Sequence, residues 1–124
     1  MPRYYYNRSG GREDGNMVEG FWILKIETPQ YTSGGVCMFI NGKIFGGDNG
    51  FTWVGTYSGD DRLIKARVHV HNFDPTVQSV LGIPGDYEMS FSGNVQGDTI
   101  TGAAMVTGQP QHSLPCRLMK RANL

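Results

Sequence analysis

Short stretches in which apolar and polar side chains alternate, each closed off by glycine, asparagine or proline, run from Glu19 almost to the last residue. A two-residue period is the pattern of strands that bury one face, and it makes a meander of strands the main architecture rather than helices. The first stretch, Glu19 to Glu27, puts Trp22, Leu24 and Ile26 on one face and Phe21 and Ile23 on the other. Thr28-Pro29-Gln30 ends it. Gly35 to Ile40 follows, joined to Lys43 to Phe45 by Asn41-Gly42, a strong hairpin signal because both residues tolerate positive φ. After a bend or bulge over Gly46-Gly47-Asp48-Asn49-Gly50, Phe51 to Tyr57 carries Phe51, Trp53 and Tyr57 on one side with Gly55 between them. Ser58-Gly59-Asp60-Asp61 is the next turn. Leu63 to Asn72 then sets Ala66, Val68 and Val70 against Lys65, Arg67, His69 and His71, and Tyr87, Met89 and Phe91 alternate with Glu88, Ser90 and Ser92. Gly93 to Gly97 reads as a turn into Thr99 to Thr107, and Leu114 to Arg121 closes the chain.

One short helix is predicted between the fifth and sixth strands. Asp74 suits an N-cap, Pro75 the first helical position, Val77, Val80 and Leu81 lie at helical spacing, and Gly82 can end it. Such a segment makes a plug or lid of about two turns. Eight short strands with one brief helix give an all-β fold, a small up-and-down barrel. A barrel of that size is either packed inside or keeps room for one small ligand.

The 124 residues make one domain, and Met1 to Asn16, which lack apolar periodicity, are expected to be a flexible leader to a barrel domain over 17–124. Tyr4-Tyr5-Tyr6 beside Arg3 and Arg8 has the stacking-plus-charge character of a single-strand binder, but it is short and isolated and is read as part of the leader. Eleven basic and eleven acidic side chains give no net attraction to phosphate, which argues against direct nucleic-acid binding. No apolar run is long enough for a spanning helix or a secretory signal, so a cytoplasmic protein without membrane contact is expected. Cys37 and Cys116 stand far apart in sequence without a CxxC motif. Buried thiols are expected in a reducing cytosol, with a disulfide open if the two face each other.

His69-Val70-His71 places two imidazoles on one strand face, a spacing found in metal sites, but zinc needs a third ligand and usually a fourth. Asp48, Asp60, Glu88 and His112 are available and no spacing joins them, so His69 and His71 are weak metal candidates and no metal or other cofactor is expected. No serine sits in a GxSxG elbow, and the Gly46 to Gly50 stretch lies between strands rather than before a helix. The acids at Asp60-Asp61 and at Asp86 and Glu88 read as solvated turn and strand groups. With no catalytic constellation, the chain is expected not to be an enzyme.

Two kinds of functional surface remain. Trp22, Phe39, Trp53, Tyr57, Met89 and Phe91 are the large side chains expected on inner faces, where they either fill the core or line a ligand cavity. Gly55, Gly102, Ala103 and Ala104 either leave space for an apolar molecule or let the sheet curve, and packing is the preferred reading. A carrier would need an enclosed cavity of at least ~300 Å³. Outside, Phe21 and Ile23 stand opposite Trp22, Leu24 and Ile26, so a second apolar face is left for another subunit, the helix or the leader.

Gly42-Lys43-Ile44-Phe45-Gly46-Gly47-Asp48, Phe51-Thr52-Trp53-Val54-Gly55-Thr56-Tyr57, Ala66-Arg67-Val68-His69-Val70-His71 and Ser79-Val80-Leu81-Gly82, with Glu19-Gly20-Phe21-Trp22 ahead of them, resemble in order and spacing the GrlR-like family of small negative regulators of type III secretion gene expression. The resemblance spans most of Met17 to Arg121. It implies a lipocalin-like eight-stranded barrel with a short helix, usually a homodimer, that binds another protein, a transcriptional activator in the type member. The family's exposed acidic turn falls on Ser58 to Asp61, so Gly59, Asp60, Asp61 and Arg62 are the partner-binding candidates, although two acids and an arginine replace a longer acidic run. The expectation is a non-enzymatic regulator or adaptor acting through protein contacts. The alternative is a carrier or sensor of a small hydrophobic ligand held inside the barrel.

Overall fold

The computed structural model describes residues 18–29 and 32–124. The expected leader, Met1 to Asn16, and the start of the domain at Met17 lie outside the described residues. Eight strands run β1 (Gly20–Glu27), β2 (Thr32–Ile40), β3 (Lys43–Gly47), β4 (Phe51–Gly59), β5 (Leu63–Asn72), β6 (Tyr87–Gln96), β7 (Thr99–Val106) and β8 (Gln109–Ala122). Each pairs antiparallel with its neighbour in sequence, and β1 pairs with β8 to close the barrel. Closure leaves no open sheet edge, so every strand is paired on both sides.

The alternation sets the register. Trp22 and Cys37 are partners on the inner face, while Ile23 and Val36 face outward one step along. Between β2 and β3, Asn41 (φ 50°) and Gly42 (φ 77°) form the tight hairpin turn that the Asn-Gly pair predicts. Gly55 and Gly102 serve a different need, close approach of strands: a Cβ on Gly55 would run into the Arg67 carbonyl oxygen, and one on Gly102 into that of Ser92. Side chains there would push the wall of a narrow barrel apart.

Two expectations change. Residues 73–86 hold no helix but separate turns: the Asp74 carboxylate accepts the Thr76 N–H and hydroxyl at 3.0 and 2.6 Å, Val77 N–H donates to the Asp74 carbonyl, and Gly82 N–H to that of Ser79. The stretch between Pro75 and Pro84 is too short to repay helix nucleation, and the local bonds of Asp74 and Ser79 compete with a helical ladder. Val77 and Leu81 still pack inward, while Val80, which a helix would have buried with them, is exposed. The second change is in β6, which runs on through Gly93 to Gln96. Gly93 sits opposite Gly102 inside the ladder, and the turn falls instead on Gly97 (φ 61°) and Asp98. Val95 holds this extension, packing on the core and donating its N–H to the Arg62 carbonyl at 2.7 Å.

The core has two parts. Around one end, Trp22, Phe39, Ile64, Ile100 and Leu118 pack with Val18, and Val18 seals that end: its carbonyl accepts the Trp22 indole N–H at 2.8 Å. Towards the other, Phe51, Val70 and Met89 pack with Val77, Leu81 and Tyr87. The 73–86 segment therefore lies across the end of the barrel opposite Val18.

Candidate functional site

Alternation along β2, β4, β5 and β6 points Phe39, Trp53, Val68, Met89 and Phe91 into the barrel, where they line a cavity of about 180 Å³. Its mouth lies between the Asp48-Asn49 turn and residues 77–80. The Asp48 carboxylate shapes the first of these, accepting the N–H groups of Gly50 and Phe51 at 3.0 and 2.9 Å. At the second, the Ser79 and Tyr87 hydroxyls lie 3.0 Å apart and Ser79 also accepts the Leu81 N–H. The volume falls short of the ~300 Å³ that a carrier would need, so the interior is largely filled. Of the six expected cavity residues, Phe39, Trp53, Met89 and Phe91 line this space. Trp22 and Tyr57 are core instead: they pack on Phe39 with ring centroids 6.0 and 5.0 Å away, towards the sealed end. Burial, with the Glu19 charge second, pushes the Tyr57 phenol up to about 12.

Cys37 and Cys116, on strands either side of β1, both line the cavity as free thiols. Burial pushes the Cys37 thiol up to about 12 and the Cys116 thiol to about 11, so both stay protonated and act as small apolar groups. Their place in the cavity was not legible in the sequence. The sequence predicted buried thiols, and the strand registers add that both face this space, Cys37 from β2 and Cys116 from β8.

On the outside, the His69 and His71 rings share one carboxylate, that of Asp86. His71 Nδ1 lies 3.0 and 3.1 Å from its two oxygens, His69 Nε2 lies 3.4 Å from one, and Asn72 N–H donates to it at 3.1 Å. The His71 bond, then that from Asn72, holds the Asp86 carboxyl below its usual range. Among the described residues no group of three or more His, Cys, Asp or Glu side chains is arranged to hold a metal ion. The histidines thus tie the end of the 73–86 segment to β5. Beside them Arg67 pairs with Glu88 at 2.8 Å, and a shallow outer hollow of about 650 Å³ runs past Lys65, Arg67, Ser58, Ser90 and Ser92.

The turn after β4 divides its residues by role. Asp60 Oδ1 accepts the N–H groups of Arg62 and Leu63 at 2.8 and 2.9 Å, and these two bonds hold its carboxyl low. Gly59 has φ 138°, and its backbone lies against Leu63 and Ile64. Both belong to the turn itself, so the outward-facing groups of the candidate patch are Asp61 and Arg62, both exposed. The turn lies at the sealed end of the barrel, away from the cavity mouth.

A larger outer feature was only half legible. Phe21 pairs with Met38, Met38 with Phe45 and Phe45 with Val54, which makes one apolar rung across four strands, with Ile23 and Val36 on the rung beside it. Val36, Phe45 and Val54 are 41%, 45% and 48% exposed. Phe21 and Ile23 were expected outside, but the rung needs the registers of β2 to β4. No helix among the described residues is long and apolar enough to cross a membrane. Compared with known proteins, the chain matches no family model and no curated protein.

Proposed function

We propose that this chain is a non-enzymatic regulator that acts by binding another protein, with a homodimer as its working form. The observation that carries this reading is the apolar rung Phe21–Met38–Phe45–Val54, on an outer face where a barrel needs no apolar side chains. No charged side chain stands in the rung, and Lys25 and Lys43 flank it along β1 and β3. An apolar middle with a charged rim is the anatomy of a homodimer interface, and a two-fold axis would lay the same rung of a second copy against it. The GrlR-like resemblance adds a transcriptional activator as the regulated partner, met at Asp61 and Arg62, whose side chains the turn itself does not use.

Phe45→Lys with Val54→Lys puts like charges on both copies. Sedimentation should show a dimer for the parent chain and a monomer for the variant, with a circular dichroism spectrum that is still that of a folded β protein. A parent chain that stays monomeric at tens of micromolar overturns the dimer. For the activator, overproduction in the native cell should change a set of transcripts, and Asp61→Lys with Arg62→Glu should abolish that change. An equal effect of both proteins removes the turn from the mechanism.

The cavity supports a second reading, a sensor whose protein contacts respond to a small apolar molecule. Its walls are apolar and its mouth is bounded by a segment that forms no regular strand or helix.

A further inference from the structure

We infer that the cavity selects an uncharged molecule of single-ring or short-chain size, held between Phe39, Trp53, Met89 and Phe91 with any hydroxyl or carbonyl oxygen turned to the mouth. This rests on the second reading above and names its ligand class.

Size sets the first limit. A volume of about 180 Å³ is close to the ~150 Å³ that holds benzene in an engineered apolar cavity. It is well below the roughly 300–1,000 Å³ of pockets that take larger ligands. Long-chain lipids do not fit.

Charge sets the second. Among the described residues no Lys, Arg or His lines the cavity, and its one ionic side chain is Asp48 at the mouth. A ligand carboxylate would lose its water against apolar walls, gain no cation in return and face the Asp48 carboxylate. An ammonium finds one counter-charge, Asp48, and that one stands at the mouth, where water screens the attraction, while the thiols deeper in are weak acceptors. A neutral polar group has a partner, because one hydroxyl of the Ser79–Tyr87 pair donates to the other and the remaining proton is available to a ligand acceptor.

The two tryptophans provide an internal comparison, since Trp53 lines the cavity and Trp22 is bonded to Val18 at the sealed end. The full chain is titrated with toluene, benzyl alcohol, benzoate, benzylamine and dodecanoate while both indole N–H resonances are followed by NMR. Toluene and benzyl alcohol should shift the Trp53 signal and leave Trp22 in place. Benzoate and benzylamine should bind at least about tenfold more weakly, in line with the cost of burying a charge, and dodecanoate should not bind. Ala104→Leu, which fills the wall beside Phe91, should weaken the neutral ligands without moving the melting temperature downwards by more than a few degrees. Binding of benzoate, benzylamine or dodecanoate as tight as that of benzyl alcohol overturns the ligand class while leaving a ligand-binding cavity. No shift of Trp53 with any compound overturns both.

Discussion

Asp60 Oδ1 accepts two backbone N–H groups, so this carboxylate closes the β4–β5 turn from within. Its neighbour Asp61 is exposed and shares none of those bonds. In sequence the pair reads as one acidic patch, yet the two residues answer to different constraints. Asp60→Ala should lower the melting temperature, because it leaves two turn donors to water and frees a loop that the fold keeps tight. Asp61→Ala should leave it unchanged, as exposed substitutions away from such features do. Thermal melts of the two single variants check this, and equal melting temperatures would remove the structural role of Asp60. A double substitution at this turn therefore confounds folding with docking, and Asp61 and Arg62 are the positions at which to probe a partner.

At the scale of elements, the 73–86 segment shows where local reading stops. Strands announce themselves by a period that survives any tertiary context, and β5 matches its predicted bounds, Leu63 to Asn72. The segment after it carries helix signals at Asp74, Pro75 and Gly82, but the same Asp74 oxygen that would cap a helix instead binds Thr76 twice in a tight turn. What decides between them is non-local: Val77 packs towards Phe51 and Val70, and Asp86 reaches the histidines of β5. The mouth of the cavity was illegible for that reason, whereas most of its walls were legible from alternation alone. Acid should loosen this element. A hydrogen bond to Thr76 holds the Asp74 carboxyl low, and one to His71 does the same for Asp86. Both folded-state values lie below the ~3.9 of an unfolded aspartate, so the folded chain binds fewer protons there. Their stabilisation is complete above about pH 5, starts to fall as pH nears the unfolded value, and is lost as pH falls through the folded values. Urea midpoints should drop between pH 5 and pH 3, and less steeply in Asp74→Asn with Asp86→Asn. A midpoint unchanged down to pH 3 would show that these carboxylates do not hold the segment.

Across the whole molecule, strands that follow one another in sequence are joined by short turns or, between β5 and β6, by the 73–86 segment, and one seam has no such link. There β1 meets β8, with Phe21 against Ala122 and Ile26 against Cys116, so the pairing closes a loop of nearly the whole chain. Loop-closure entropy must be paid before such contacts give anything back, and folds dominated by distant pairings take milliseconds to seconds. The hairpins need no such closure, and the β2–β3 pair is further favoured by the Asn41-Gly42 turn. The seam should therefore form late. Leu118 tests this, since it is buried in the core and pairs with Leu24 on one side and Ile100 on the other. Leu118→Ala should cost about 2–5 kcal/mol, more of it as faster unfolding than as slower folding, because its contacts across the seam to β1 are absent from the transition state. Ile44, buried in the β2–β3 hairpin opposite Phe39, supplies the contrast. Ile44→Val should cost about 1 kcal/mol, most of it as slower folding. Stopped-flow folding and unfolding in urea measure both arms. A Leu118→Ala variant that slows folding in proportion to its lost stability would put the seam in the nucleus, and the barrel would then close before its hairpins are complete.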